Sequence, residues 1–368
     1  ALNDLNRNFT LTAIGQSSGF TTQTAFKDTT NQVTQIGFSS APSGFTVGVQ
    51  NPAGSPLRVQ TRNAGGTAEL LNGNAANSSV TIQITSNSST GRFDSSSSGS
   101  FASNSITFTI NSASSTNPNT PDFFYRDTTA GNVTLTATVT AKGSGLTGLP
   151  LNSTATLNVV VSKANTTTTI TSDTPDPSVV GQSYTISFTV VHQTSGGVGT
   201  PTGNVTVSDG TSSCNGAVAT GSCSLPSTTA GNKTLVATYA GDSNFNGSTS
   251  ATAAHTINPA STTTVAASAT TTFSTTSQTV TLSATVTANS PSTATVNQGT
   301  VTFTVKKAAI VIGVPVTSAT ITTGSASANF TLPGGTAADT YTIEAAYSGG
   351  TNFSTSNDNT KTLTVQKA

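Results

Sequence analysis

The side chains that could bind a metal in this chain are scattered carboxylates. Asp173 and Asp176 lie in the segment Asp-Thr-Pro-Asp-Pro, while Asp209 and Asp242 follow later strands. Ca²⁺ takes about six to eight oxygen ligands, which aspartates supply. The first pair, with Asp209 or Asp242, is therefore a weak candidate for a calcium site between domains. The spacing has no EF-hand pattern, and the alternative is that each Asp forms its own turn.

Acid–base or nucleophilic catalysis would need a histidine, and the chain has only His192 and His255. Neither lies near a Cys, a carboxylate cluster or a Gly-x-Ser-x-Gly elbow in the sequence, and no His-Glu-x-x-His pair or phosphate loop is present. The sequence therefore predicts surface or structural histidines and no enzyme. No cofactor is expected either, apart from the calcium alternative.

The two cysteines, Cys214 and Cys223, lie nine positions apart beside glycine-containing turns. Small secreted β domains favour disulfides, so this spacing predicts one that joins two strands or closes a loop. Two unpaired small residues are the alternative. A zinc site would need two more soft ligands, and neither histidine is near in sequence.

The composition is almost free of charge: 7% of the residues are charged, with 13 Lys plus Arg and 13 Asp plus Glu. This predicts no nucleic-acid partner and no electrostatic attraction to an anionic membrane. Zero net charge also gives weak protection against self-association. Either glycans solvate the protein or association is its role, and both point outside the cytoplasm. The sequence has no Met and no apolar run long enough to span a membrane, so we expect a processed, secreted chain.

The elements that would position these residues are β-strands. Apolar residues alternate with Thr or Ser in many short runs, listed here by range: 9–13, 80–84, 106–110, 184–190, 280–286 and 301–305. Period-2 alternation indicates sheets with one buried face, and turn residues interrupt the runs every 8–12 positions or so, which is typical of a sandwich. The predicted fold class is all-β.

One strand-like phrase occurs three times, at 130–138, 230–239 and, more loosely, 338–347. A period near 100 residues matches an immunoglobulin-like sandwich rather than a solenoid repeat. Short polar steps to alanine, each followed by a Thr run, mark the boundaries. The sequence therefore predicts three domains: an enlarged N-terminal Ig-like domain at 1–163, then Ig-like domains at 164–259 and 260–368. Linkers this short predict an elongated, semi-rigid array.

The alternation also assigns buried faces in the repeated phrase. Tyr341 and Tyr347 share one face, and Tyr239 has the same phase in the preceding copy. Tyr341 stands where a tyrosine-corner residue would stand in an Ig fold. Glu344 points the other way and is expected to face solvent, so it is not expected to promote an internal isopeptide bond.

A loop motif follows the phrase in two copies. Residues 239–248 read Tyr-Ala-Gly-Asp-Ser-Asn-Phe-Asn-Gly-Ser, and residues 347–354 read Tyr-Ser-Gly-Gly-Thr-Asn-Phe-Ser. This resembles the group 3 bacterial Ig-like repeats of surface proteins and adhesins. The second copy has Gly350 in place of Asp, which weakens any role for that Asp. Residues 123–131 resemble a phrase of Ig-like repeats in bacterial surface-layer and cell-wall proteins.

These observations predict an extracellular, non-catalytic protein that self-associates into a cell-surface fibre, sheath or layer, with copies of itself or surface-layer neighbours as partners. One terminal strand could add to a neighbour's sheet edge, through Phe9, Leu11 and Ala13 or through Leu363 and Val365. The alternative is a stalk or adhesin fragment that displays a binding domain for a cell-surface or glycan ligand. A weaker alternative is an accessory module of a secreted polysaccharide-active enzyme.

Overall fold

The structure is a computed structural model that describes residues 32–40, 42, 44–51, 54–71, 78–111, 117–194 and 196–368, and the backbone of 8–14 and 21–27. It divides into two compact units. Unit 1 comprises Ala1–Thr166, Val191–Pro201 and Gly241–Gly247, and unit 2 comprises Thr167–Val190, Thr202–Ala240 and Ser248–Ala368. The fold is all-β, and the described residues contain no α-helix. No helix in the described part of the chain is long and apolar enough to cross a membrane.

The N-terminal β-region holds the strands before residue 163. They are β1 (Asn8–Ile14), β2 (Thr21–Lys27), β3 (Gln35–Ser40), β4 (Phe45–Thr46), β5 (Arg58–Arg62), β6 (Ser79–Ser86), β7 (Arg92–Asp94), β8 (Ser105–Asn111), β9 (Phe124–Arg126), β10 (Gly131–Lys142) and β11 (Thr154–Ser162). The largest sheet has the order β4-β11-β10-β6-β8, and the pairs β1-β2, β3-β5 and β7-β9 form smaller sheets.

The middle β-region continues to residue 258. Its strands are β12 (Thr166–Thr174), β13 (Ser178–Val179), β14 (Ser183–His192), β15 (Asn204–Ser208), β16 (Ser213–Ala217), β17 (Ser222–Pro226), β18 (Gly231–Gly241), β19 (Asn246–Thr249) and β20 (Ala253–Asn258). One sheet has the order β12-β14-β17, and the other has the order β13-β20-β18-β15-β16, with β19 on β18.

The C-terminal β-region repeats this plan. Its strands are β21 (Thr262–Ala266), β22 (Ala269–Thr272), β23 (Gln278–Ala288), β24 (Val301–Lys307), β25 (Ile310–Thr317), β26 (Ser325–Leu332), β27 (Thr340–Tyr347) and β28 (Ser356–Gln366). The sheet orders are β21-β23-β26 and β22-β28-β27-β24-β25. In the middle and C-terminal β-regions, the two sheets form an Ig-like sandwich.

The core follows the predicted alternation. In β27 the burial pattern alternates, so Tyr341, Ile343, Ala345 and Tyr347 are buried, and Glu344 on the other face pairs with Lys306. Each long central strand presents such a row to the facing sheet. Burial of these alternate rows is the main stabilising term of a sandwich.

A short parallel strand pair recurs at the same place in all three regions. Phe45 lies beside Val161, Ser178 beside Ile257 and Thr271 beside Val365. These registers define equivalent positions. Three residues further along come Gly48, Gly181 and Ser274.

A second set of equivalent positions lies across the sheet from these pairs. Gly131 pairs with Val161 and Gly231 with Ile257, while Val365 donates its N–H to the carbonyl of Asp339. Gly131, Gly231 and Asp339 are therefore equivalent. We propose the three domains predicted from the sequence, 1–163, 164–259 and 260–368, because each sheet of the described strands falls within one of these ranges.

Candidate functional site: the junction loops

The first junction loop, residues 241–247, is the Gly-Asp-Ser-Asn-Phe motif. Gly241 has a positive φ of 89°, which starts the turn. One carboxylate oxygen of Asp242 accepts the backbone N–H groups of Asn244 and Phe245, both at 2.8 Å. Phe245 is buried at 3% exposure. The Asp is thus the organiser of its own loop.

The second junction loop, residues 349–355, carries Gly350 where the first has aspartate. Gln298 supplies the missing acceptor, since its Oε1 accepts the Asn352 N–H at 3.1 Å. A Cβ on Gly350 would lie 2.7 Å from that Oε1, so the glycine leaves room for the glutamine. The Tyr347 hydroxyl donates to the Gln298 carbonyl at 2.8 Å and holds it in place. The loop geometry therefore survives the loss of the aspartate.

Each loop binds the alanine that links one β-region to the next. Ala164 donates its N–H to the Asn244 carbonyl at 2.9 Å and accepts the Asn246 N–H at 2.8 Å, beside Phe245. Ala260 makes the same two bonds to the second loop, both at 2.9 Å. Both linker alanines are fully buried. The linkers are therefore fixed rather than free.

The asparagine of each loop makes a second contact. The Asn244 side-chain oxygen accepts the N–H of Ala130 at 2.9 Å, and that of Asn352 accepts the N–H of Ala230 at 3.0 Å. Both alanines open the strand phrase that repeats in the sequence. The two repeated motifs therefore meet, and the asparagine side chain joins them.

A third contact uses the first set of equivalent glycines. The Gly48 carbonyl accepts the Val198 N–H at 3.1 Å, and a Cβ on Gly48 would lie 1.8 Å from the Val198 oxygen. The Gly181 carbonyl accepts the N–H of Thr293 at 3.2 Å and its hydroxyl at 2.8 Å. A Cβ on Gly181 would lie 2.6 Å from the Ala294 nitrogen. All contacts of the first junction lie in unit 1, and all those of the second lie in unit 2.

His192 adds a contact at the first junction. Its Nε2 lies 3.1 Å from the Val47 carbonyl, and its Nδ1 lies 3.0 Å from the Thr194 N–H. The Nδ1 also lies 3.2 Å from the Thr194 carbonyl, so the ring bridges the Val47 and Thr194 backbones. The ring also meets the Phe245 ring edge-on at 5.7 Å. His192 is therefore a structural residue of this junction.

His255 is the centre of a buried polar node beneath the second junction. Its Nδ1 lies 2.7 Å from Asp173 and 3.4 Å from Asp176. Its Nε2 lies 2.8 Å from the Ser178 hydroxyl, which in turn lies 2.7 Å from the Ser227 hydroxyl. The Ser227 carbonyl accepts the Gly181 N–H at 2.8 Å. The node therefore holds one of the junction glycines in place.

The node has the connectivity of a Ser-His-Asp triad, but a substrate cannot reach its serine hydroxyl. Ser178 is 0% exposed and His255 is 1% exposed, and the imidazole stacks on Tyr184 at 3.8 Å. A nucleophile must reach a substrate carbonyl, and a hydroxyl enclosed on all sides does not. The arrangement can satisfy buried polar groups, which is the structural role expected for the histidine.

The four calcium candidates fall into three hydrogen-bonded groups. Asp173 and Asp176 meet at the imidazole of His255, and Asp176 also accepts the Thr256 N–H at 3.0 Å. Asp242 organises the first junction loop. These carboxylate oxygens contact protein donors, but Asp173, Asp176 and His255 also lie close enough together to hold a metal ion, so the calcium site stays a prediction.

The fourth candidate, Asp209, caps the turn between β15 and β16. One oxygen accepts the Ser212 and Thr211 N–H groups, at 2.6 and 2.8 Å, and the other accepts the Tyr184 hydroxyl at 3.2 Å. Burial acts to raise the pKa of Asp209, but these hydrogen bonds outweigh it and the pKa lies below its ordinary value. The same burial and the Asp209 charge raise the pKa of Tyr184.

The remaining candidate side chains have structural places. Cys214 and Cys223 form a disulfide that joins β16 to β17. The Tyr341 hydroxyl donates to the Ala337 carbonyl four residues upstream, at 2.8 Å, which is a tyrosine-corner bond. Tyr239 and Tyr347 are buried core residues.

The two terminal strands have different surroundings. Leu363 and Val365 are buried in β28, which pairs with β27 on one side and β22 on the other. Both edges of β28 are therefore occupied within its own sheet, and it is not a free donor strand. β1, which carries Phe9, Leu11 and Ala13, pairs with β2, and these side chains lie outside the described residues.

Residues 170–258 match the family model of the bacterial Ig-like domain (group 3). This segment is therefore similar to the group 3 bacterial Ig-like domain. The Ig-like domain so matched contains the His255 node, the disulfide and the first junction loop. The resemblance inferred from the loop motif is confirmed for this segment, and the C-terminal β-region repeats its sheet order.

Several solved structures are similar to the chain. A tetra-tandem repeat from the extending region of a large adhesion protein is 19% identical, with 89% of this chain and 73% of that chain covered and a TM-score of 0.37. Invasin, a bacterial integrin-binding protein, is 14% identical, with 91% and 60% covered and a TM-score of 0.37. The Escherichia coli adhesin FdeC is 13% identical, with 92% and 98% covered and a TM-score of 0.25. No curated protein matches the sequence.

Proposed function

We propose that this protein is a non-catalytic extracellular spacer, in which tandem Ig-like domains are joined by junction loops and hold a binding or anchoring region away from a cell surface. The observation that carries the proposal is the repeated junction: linker alanine, loop asparagine and packed glycine recur with the same partners at both places. A repeated joint is what a spacer needs, because its length is set by identical units and identical joints.

The linkers support this function physically. A flexible linker is rich in Gly and Ser and leaves its backbone to water. Here Ala164 and Ala260 are buried, and each makes two backbone hydrogen bonds to the loop that follows. Relative domain motion is the default when few contacts cross a boundary. Two contacts cross the boundary at each junction, the bond from the loop asparagine to the strand alanine and the contact at the packed glycine, and they oppose that motion.

The chemistry of the chain supports an extracellular location. A disulfide persists in oxidising compartments and is rare in the cytosol. Cys214 and Cys223 form one within the segment that is similar to the group 3 Ig-like domain. The few charges and the many exposed Thr and Ser side chains suit a surface that meets water without strong electrostatic attraction to other molecules.

Sedimentation of the purified full chain tests this function. A spacer remains a monomer of 36.6 kDa over a wide range of protein concentration. Species of higher mass that grow with concentration would contradict it and would favour a self-associating subunit.

The self-associating fibre, sheath or layer is the second candidate, and one observation favours it. The edge strand β25 exposes Ile310 at 69% and Val314 at 77%. Exposed apolar edge strands template pairing between copies. Pro315 and a register shift opposite Val305 interrupt this edge, which weakens it as a template. If larger species form, Val314→Lys should convert them to monomers. The control Thr317→Lys, at an exposed position on the same strand, should leave them assembled.

A further inference from the structure

We propose that two glycines and one alanine form an acceptor face that recognises an Ig-like domain by its Asn-Phe junction loop. The acceptor face consists of Gly48, Ala130 and Gly131 in the N-terminal β-region. Such a face would let one domain select its neighbour in a spacer and in a fibre subunit alike.

The middle β-region carries the same face, made of Gly181, Ala230 and Gly231. The registers of the short parallel strands and of the facing strands establish the equivalence, so it does not rest on sequence similarity alone. Two faces in one chain with the same partners indicate a rule rather than a chance contact.

The first requirement of the face is space. Gly48 has a φ of 73° and Gly181 a φ of 83°, and each lies directly against a backbone of the following domain. Any Cβ would overlap Val198 at the first face or Ala294 at the second. The incoming segment is in both cases the loop after the second long strand of its domain, β14 or β23.

The second requirement is conformation. Gly131 and Gly231 have φ values of 147° and 131°, yet a Cβ on either would meet nothing within 4 Å. These glycines therefore serve the backbone path, which L side chains rarely adopt. With this backbone path, the N–H of the preceding alanine, Ala130 or Ala230, is available to donate to the asparagine side-chain oxygen.

The contacts that define recognition are neutral. Backbone groups, one asparagine side chain and one threonine hydroxyl make them, and the Asp242 carboxylate is engaged within its own loop. In the second loop Gln298 replaces that carboxylate. Recognition by such groups does not depend on calcium or, to first order, on ionic strength.

The third copy of the face departs at both glycine positions. Ser274 replaces the packed glycine and Asp339 the strand-opening glycine, and neither has a positive φ. Asp339 instead pairs with Lys307 at 2.6 Å and accepts the Thr340 N–H at 2.7 Å. We therefore expect the C-terminal β-region not to bind the Asn-Phe loop of another domain at this position.

Spin-label distances in the oxidised full chain test the proposal. Labels at Thr238→Cys and Thr285→Cys, both exposed positions, report on the second junction. Gly181→Ala is compared with Gly203→Ala, because Gly203 has a φ of 86° but no atom within 4 Å of a Cβ. Asn352→Ala removes the acceptor oxygen, and Asn352→Asp keeps one.

We expect a single narrow distance in the unsubstituted junction, in Gly203→Ala and in Asn352→Asp, and loss of that narrow distance in Gly181→Ala and Asn352→Ala. Equal widths for Gly181→Ala and Gly203→Ala would overturn the proposal. If Gly181→Ala does not fold, Asn352→Ala decides, and a narrow distance from it would be the contrary result. Addition of a calcium chelator should change none of these widths. The spacer function is tested separately, by mass.

Discussion

The side-chain oxygen of Asn244 accepts a hydrogen bond from the backbone N–H of Ala130 at 2.9 Å, across 114 positions of the chain. Asn352 and Ala230 repeat this relationship at 3.0 Å. The repeated strand phrase and the repeated loop motif are therefore two halves of one contact, each half contributed by a different β-region. The consequences can be measured at each residue that shapes the contact.

In the second loop Gly350 stands where the first has Asp242, and Gln298 supplies the acceptor instead. Substitutions at Gly350 and Gln298 should therefore compensate for each other. Gln298→Ala should lower the free energy of unfolding by about 1 kcal/mol, because the Asn352 N–H loses its acceptor. Gly350→Asp alone should also destabilise, since its side chain overlaps Gln298. The double variant should recover most of the loss by restoring the aspartate of the first loop. Urea unfolding followed by amide signals of the C-terminal β-region measures all three, and strictly additive losses would contradict the account.

The buried node predicts that Ser178 is structural. Ser178→Ala should destabilise the middle domain by about 1–3 kcal/mol, because the buried imidazole Nε2 loses its partner. Thr228→Ala is the control, because Thr228 follows the node residue Ser227 directly but is exposed, and it should have little effect. Thermal unfolding of both variants makes the comparison, and equal losses in the two would contradict a structural role for the buried hydroxyl.

The same node predicts the absence of hydrolase chemistry. A fluorophosphonate probe, which labels activated serines, should leave Ser178 unmodified in the folded protein because the hydroxyl is enclosed. Subtilisin provides the positive control. Mass spectrometric detection of the adduct on Ser178 would show that the node is reactive and would overturn the non-catalytic function.

Depressed carboxylate pKa values predict acid sensitivity. Burial acts to raise the pKa of Asp358, but hydrogen bonds from Thr360 and Ala266 lower it below its ordinary value, as similar bonds do for Asp209. Their stabilisation is complete above the unfolded-state pKa of about 3.9 and is lost as the pH falls through the folded-state values. The melting temperature should therefore drop below about pH 4. Asp358→Asn should weaken the dependence of the melting temperature on pH. An unchanged dependence would show that the Asp358 carboxylate does not cause it.

The disulfide predicts a redox-dependent stability of the middle domain. Cys214 and Cys223 close a short loop, and reduction should cost about 2–3 kcal/mol by the chain-entropy argument. The double variant Cys214→Ser and Cys223→Ser should match the reduced protein and show no further response to reductant. Equal stability of the oxidised and reduced chains would contradict this prediction.

Much of the fold follows from local patterns in the sequence. Alternation of apolar residues with Thr placed Tyr341 and Tyr347 on the buried face, and the loop motif indicated the family, because both signals lie within a few residues. The His255 node could not be found this way. Asp173, in β12, lies 82 positions from His255, and Ser178 lies 77 positions away in β13, which pairs in parallel with β20. The one available signal was that His255 shares the alternate phase of Ile257 in β20.

Two other features depended on tertiary context. Gln298 precedes β24 in a segment without any motif, and its role appears only when Gly350 leaves space for it. The terminal strand with Leu363 and Val365 has the pattern of a donor strand, since a half-buried strand looks the same whether its own sheet or a neighbour's covers it. Its pairing with both β22 and β27 places it in its own sheet.

Amide hydrogen exchange in the full chain tests the junction most directly. Ala130 and Ala230 lie just before their strands and are only partly buried, so without the asparagine oxygens their N–H groups would exchange quickly. Ala338, the exposed equivalent in the third copy, is the internal reference. The account predicts protection of Ala130 and Ala230 relative to Ala338, and loss of protection at Ala230 alone in Asn352→Ala. Exchange of all three amides at the same rate would contradict it.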